Sequence, residues 1–226
     1  MIHVDARGCD NMWKGITVQS NSVFESDMMT SIEDADIAVN VQMGGTVNLK
    51  NTRLLNNNFG IRTDATGSGN YNITLRSNRY GTTAAGLKPA YSGQFPLPLE
   101  KGYAGIYLNN AGSVVLDADP NSDDPNAFFN LKYGVIALNT NLNVLQADFQ
   151  DITRVAKGSG YNAYPAVSTG KAIYAEKGLV SVIPGDDRTI TFNNCHTGVE
   201  TLGASSFVWR TNMGNMTNGI VAANGV

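Results

Sequence analysis

The stretch Asp117-Ala118-Asp119-Pro120-Asn121-Ser122-Asp123-Asp124 sets side-chain oxygens at alternate positions, the spacing with which loops ligate calcium. Asp117, Asp119, Asn121 and Asp123 would be the ligands, and calcium is the cofactor this pattern suggests. The match to an EF-hand loop is incomplete, because Ser122 stands where Gly is required and Phe128 where the bidentate Glu belongs. An acidic solvated insertion, spanning 117–127, is the competing reading. A second kind of chemistry is offered by two aromatic stretches, 86–103 and 158–170. Tyr91, Phe95, Tyr161 and Tyr164 could stack on sugar rings while neighbouring Asn, Gln and Lys side chains bind hydroxyls. They could equally fold back as cover for the flank of the domain.

Acid–base chemistry would need carboxylates in matching positions. Asp34, Asp36, Asp148 and Asp151 are the candidates for it. Asp186-Asp187-Arg188 has suitable residue types, but it follows Pro184-Gly185 and reads as a turn. His3 and His196 have no Ser or Cys nucleophile at a recognisable spacing, so neither a triad nor a zinc site is indicated. Lys50, Arg53, Arg62, Arg76 and Arg79 could meet an acidic glycan or form a solvated face.

The elements that must position these groups are legible in the composition. The chain of 226 residues holds 26 Asn and 24 Gly against 8 Lys and 5 Glu, so turn formers abound while surface-helix formers are scarce. Helical bundles and coiled coils are excluded. Apolar content of 42% is too high for a disordered chain. No apolar run is long enough for a membrane-spanning helix, so membrane insertion is not expected. A net charge of -3 gives no electrostatic footprint for nucleic acid.

An internal repeat organises the rest. Ile32–Val39, Leu54–Ile61, Leu75–Thr82, Phe128–Val135, Phe149–Ala156, Phe192–Val199 and Met213–Ile220 share an eight-residue pattern: a large apolar residue, Asn, Asp or Ser two places on, and a small residue near the end. With shorter matches, the small position falls at Gly15, Ala38, Gly60, Gly81, Gly105, Gly134, Val155, Ala172, Gly198 and Gly219. A step of about 22 residues suits a solenoid coil. Alternating pairs such as Val39 and Val41, or Ile106 and Leu108, mark strands with one face inward. The sequence therefore predicts an all-β, right-handed parallel β-helix of about ten coils, the hand following from parallel crossovers. In the third position Asp34, Asn56, Ser77, Asn130, Asp151, Asn194 and Asn215 would take the left-handed conformation at a sharp bend and hydrogen-bond between coils.

Met12-Trp13-Lys14-Gly15-Ile16-Thr17-Val18, Ser31-Ile32-Glu33-Asp34-Ala35 and Leu54-Leu55-Asn56-Asn57-Asn58-Phe59-Gly60-Ile61 resemble the β-helix repeats of large secreted bacterial surface proteins, within the pectin-lyase-like superfamily. The resemblance covers nearly the whole chain and speaks to fold rather than activity. It implies an extracellular or cell-surface location and a polysaccharide partner. Enzymes of this kind project carboxylates from stacked strands. Aligned on the repeat, however, the column of Asp36 runs through Asn58, Arg79 and Lys132, and that of Glu33 through Leu55, Arg76 and Phe129. Neither column gathers acids.

No signal peptide opens the chain, and neither end shows a capping helix. Residues 1–226 are read as a single β-helix domain cut from a longer protein, or as one whose ends stack on one another. Cys9 and Cys195 belong to distant coils, too far apart for a disulfide, and Cys195 reads as a buried thiol. The expected function is a non-enzymatic stalk or adhesin module that binds glycan. A polysaccharide lyase or glycoside hydrolase acting on an acidic polysaccharide is the alternative.

Overall fold

In the computed structural model the described residues are 5–27, 30–63, 71–90, 100–122, 124–154 and 169–223. They form strands and turns, with no helix among them. A first sheet is built from β1 (Asp5–Arg7), β4 (Ser31–Glu33), β7 (Arg53–Leu55), β10 (Arg79–Gly81), β12 (Asn126–Phe129), β14 (Ala147–Gln150), β17 (Ile190–Asn193) and β20 (Thr211–Gly214), neighbours in that order. A second ladder follows the order β2 (Ile16–Val18), β5 (Ile37–Val41), β8 (Phe59–Thr63), β11 (Ala104–Asp117), β13 (Tyr133–Val144), β15 (Lys171–Glu176), β18 (Thr197–Leu202) and β21 (Asn218–Ala223). A third ribbon holds β3 (Val23–Ser26), β6 (Thr46–Lys50) and β9 (Asn72–Arg76), then the distal halves of β11 and β13, then β16 (Leu179–Val182) and β19 (Ser205–Val208). Every pairing is parallel. Successive strands thus step from sheet to sheet around a coil, as the repeat predicts.

Left-handed residues turn the corners. Six of the seven predicted positions, Asp34, Asn56, Asn130, Asp151, Asn194 and Asn215, have φ between 51° and 58° and lie at the exit of first-sheet strands. Ser77 shares the conformation at φ 54° but sits, with Asn51, where the third ribbon enters the first sheet. This displacement corrects the repeat. Leu75 stacks between Leu49 and Leu116 in the third ribbon, and Gly81 pairs with Leu55 and Phe129 instead of joining the small-residue column. That column runs directly from Gly60 to Gly105, where a Cβ on Gly60 would fall 2.4 Å from the Gly105 carbonyl oxygen. With Gly81 removed and Val155 outside the described residues, eight of the ten positions of the sequence pattern remain, one at each of the eight strands of the second ladder.

Inter-coil hydrogen bonds satisfy the corner amides, as expected of buried polar backbone. Asn57 accepts from the Ala35 amide at 2.8 Å and donates to the Ile32 carbonyl at 2.8 Å. Asn78 does the same for Thr52 and Leu49, both at 3.0 Å. Asn194 Nδ2 donates to the Asp151 carboxylate at 2.6 Å.

Inside the coil the three ribbons enclose one continuous apolar core, from Val18 to Val199. Its first-sheet wall is a stack of rings: Tyr80, Phe128, Phe149 and Phe192 lie with centroids 4.7, 4.7 and 5.0 Å apart and planes within 10° of parallel. The register imposes this arrangement, since residues one ladder step apart are separated by about the centroid spacing of two stacked rings. A second cluster, Phe59, Tyr103, Tyr107, Tyr133, Ile136 and Tyr174, is also buried. Tyr107, Ile136 and Tyr174 alternate along their strands with core residues, which puts them on the outward face of the second sheet.

Candidate functional site

Of the two aromatic stretches, one falls between β10 and β11 and the other between β14 and β15. In the order β10-β12-β14 their roots are two ladder steps apart, not the three that follow from counting Gly81 and Val155 in one column. The spacing is about 9.6 Å rather than about 14 Å. Tyr91, Phe95, Tyr161 and Tyr164 lie outside the described residues, as does Asp123.

The oxygen-rich loop is tied down by the chain's own cations. Asp117 pairs with the Arg188 guanidinium. Asp119 is buried, faces Lys50 Nζ at 3.2 Å, and accepts from Asn51 Nδ2 at 2.9 Å and the Asn121 amide at 3.1 Å. Burial would raise its pKa, yet these donors and the Lys50 charge hold the carboxyl below the usual range. Asn121 turns its own side-chain nitrogen toward Asp119 at 3.4 Å. Among the described residues no group of three or more His, Cys, Asp or Glu side chains converges as a metal site would require. Ser77 Oγ completes the clasp, donating to the Asp124 carbonyl and receiving the Asp119 amide at 2.7 Å. Asp186-Asp187-Arg188 forms the turn read from its sequence, with Asp187 left-handed and the Arg188 amide donating to the Gly185 carbonyl at 3.1 Å.

This clasp forms one wall of a groove of about 380 Å³, lined by Asn51, Arg53, Ser77, Arg79, Asp124, Pro125 and Ala127. Across the same corner a second groove, of about 410 Å³, includes Asp27, Asn48, Lys50, Thr74 and Arg76 in its lining. Four of the five basic residues singled out in the sequence therefore come together here. Lys50 pairs in register with Arg76, and Arg53 with Arg79. They meet because Arg76 and Arg79 belong to the shifted repeat, which sets them one ladder step from Lys50 and Arg53. A signal for the block exists in the sequence: Lys50-Asn51-Thr52-Arg53 and Arg76-Ser77-Asn78-Arg79 are the same corner written twice. Arg62 is elsewhere, over the rings of Phe59 and Tyr107 at 5.7 and 5.9 Å.

Three of the four acids proposed for acid–base work are engaged in structure at the corners. Asp34 pairs with Lys88 at 2.8 Å, Asp36 accepts from Asn58 Nδ2 at 3.0 Å, and Asp151 receives Asn194. Asp148 lies on the first sheet, paired with Ala127 and Thr191. A constellation that sequence reasoning missed sits on the outward face of the second sheet. There Lys171, buried, places its ammonium 2.5 Å from Glu200 and 4.6 Å from the Tyr174 ring centroid. Burial, with the nearby Glu176 and Glu200 charges, pushes Tyr174 up to about 12, and burial with Tyr174 and Glu200 raises Tyr133.

Cys195 is buried and Cys9 exposed, both as free thiols. Burial pushes the Cys195 thiol up to about 11, against the opposing effect of hydrogen bonds with Ile152 and Asn193. Cys195 and Tyr174 thus stay protonated in the fold at a pH where they ionise in the unfolded chain. The unfolded state then binds fewer protons, so stability falls as pH rises from about 9, the ordinary thiol value, toward 12. Denaturant midpoints at about pH 8 and about pH 10.5 should differ in that direction, and Cys195→Ala should reduce the difference. Equal midpoints would refute the assignment.

No protein-family model, curated protein or solved structure matches this chain.

Proposed function

We propose that this chain is a non-enzymatic module of a bacterial surface or secreted protein, a right-handed β-helix of the pectin-lyase-like kind that presents a glycan-binding groove. One observation carries the reading: the clasp between the third ribbon and the first sheet builds a groove whose floor is strand ladder and whose lining brings Arg53 and Arg79 together in register. Polar groups set on a repetitive scaffold suit a repetitive ligand, because the backbone that carries them need not be ordered when the chain of sugars is laid along it. The corner roles of Asp34, Asp36 and Asp151 weigh against the polysaccharide lyase or hydrolase alternative, since acids held in hydrogen bonds and ion pairs at bends are not free to exchange protons with a substrate. Tyr91, Phe95, Tyr161 and Tyr164 are proposed as a second contact.

The test is a glycan array followed by incubation of the bound polysaccharides with the protein. Binding without new reducing ends or unsaturated products is expected. Release of either product would replace the module with an enzyme, and an array with no binder would end the glycan reading.

A further inference from the structure

Arg53 and Arg79 are in-register neighbours on the first sheet, one ladder step of about 4.8 Å apart, and both are exposed in the same groove. Like charges set directly beside each other in a sheet cost stability. The neighbouring Lys50 is offset by Asp119 at 3.2 Å and Asp27 at 3.8 Å. Arg53 and Arg79 make no such ion pair among the described residues. Arg79 has the Phe129 ring 5.7 Å from its guanidinium carbon, a cation–π contact that does not consume its N–H donors. Two guanidiniums in one groove, neither held in an ion pair among the described residues, describe a place for an anion.

Charge and geometry narrow its chemistry. Asp124 lines the same groove, so among the described lining residues one positive charge is left for a ligand to neutralise. A phosphate monoester brings nearly two negative charges and overshoots. A carboxylate brings one, but its two oxygens satisfy a single guanidinium edge. A sulfate ester carries one charge on three terminal oxygens, enough to offer an edge to each of two guanidiniums. We propose that Arg53 and Arg79 bind the sulfate ester of a sulfated polysaccharide, an inference that rests on the glycan-binding reading above. Arg76, across the Ser77 corner and likewise without an ion pair among the described residues, supplies the next cation along the bound chain.

Titration with dextran sulfate, polygalacturonate and neutral dextran tests this directly. Dextran sulfate should bind most tightly and dextran least. Arg53→Gln and Arg79→Gln should each weaken dextran sulfate by about tenfold or more, the scale of a charge-assisted bidentate contact, without lowering the melting temperature. Arg53→Lys keeps the charge and loses the fork, so it should also weaken binding. Arg210→Gln, which removes the same charge from the exposed turn between β19 and β20, should leave affinity as it was. Full affinity in Arg53→Lys, equal loss in Arg210→Gln, or polygalacturonate binding as tightly as dextran sulfate would each overturn the sulfate site while leaving a glycan-binding module in place. Neutral dextran binding as well as its sulfated form would do the same. Failure of these polymers together with an empty glycan array would remove both proposals.

Discussion

Phe149→Ala is expected to destabilise the protein by about 3–5 kcal/mol, read as a lowered denaturant midpoint with little change in slope. Phe149 is fully buried and is stacked on both faces, by Phe128 at 4.7 Å and by Phe192 at 5.0 Å. Truncation removes the transfer free energy of a whole ring and leaves a void between two rings that the ladder prevents from closing. Their separation is set by the hydrogen bonds of β12, β14 and β17 and cannot shrink without breaking register. Sites that cannot collapse lie at the costly end of such substitutions. Phe192→Ala should cost a similar amount, its neighbours being Phe149 at 5.0 Å and, in register, Met213. Val23→Ala, at a side chain 62% exposed on β3, should change stability by less than about 0.5 kcal/mol. Similar midpoints for Phe149→Ala and Val23→Ala would show that the rings do not carry the core.

The same stack shows which features of the fold could be read in advance. Phe128, Phe149 and Phe192 open three copies of the repeat, and their in-register pairing follows from aligning those copies. The left-handed corners were legible for the same reason: a strand ending in Asn, Asp or Ser two places after a large apolar residue has few other ways to turn. That physics is not unique to one corner. Asn51 and Ser77 turn the chain into the first sheet with the same φ as Asn56 turns it out. Leu75–Thr82 therefore fits the octet while lying one strand earlier in the coil, and the error carried Arg76 and Arg79 away from Lys50 and Arg53. The outward tyrosine cluster was hidden by a different ambiguity. The alternation of Ile106 and Leu108 marks a strand with one face inward and passes over Tyr107, as that of Ile173 and Ala175 passes over Tyr174. An unbroken apolar run is instead the mark of a strand covered on both faces, and Gly134-Val135-Ile136-Ala137-Leu138 carries it too. No residue in these runs announces Lys171, whose burial depends on a partner, Glu200, that only the pairing of β15 with β18 brings near.

That pair supports a further large effect. Lys171 is 1% exposed, with its ammonium 2.5 Å from Glu200 and over the Tyr174 ring. Lys171→Met keeps most of the side-chain volume and deletes the charge, which leaves Glu200 against aromatic surface without a counter-ion. Breaking a fully buried ion pair from one side costs about 3–5 kcal/mol. The Glu200 side chain is 23% exposed, so water recovers part of this and about 2–3 kcal/mol is expected. Glu200→Gln should be costly by the converse argument, because it strands the ammonium, although the Tyr174 face still offers it a cation–π contact. The double variant, Lys171→Met with Glu200→Gln, removes both charges together and should be more stable than either single variant. A double-mutant cycle in denaturant measures the coupling. Additive losses would mean that the two side chains contribute by packing alone, and that the outward face of the second sheet is held by its tyrosines without the ion pair.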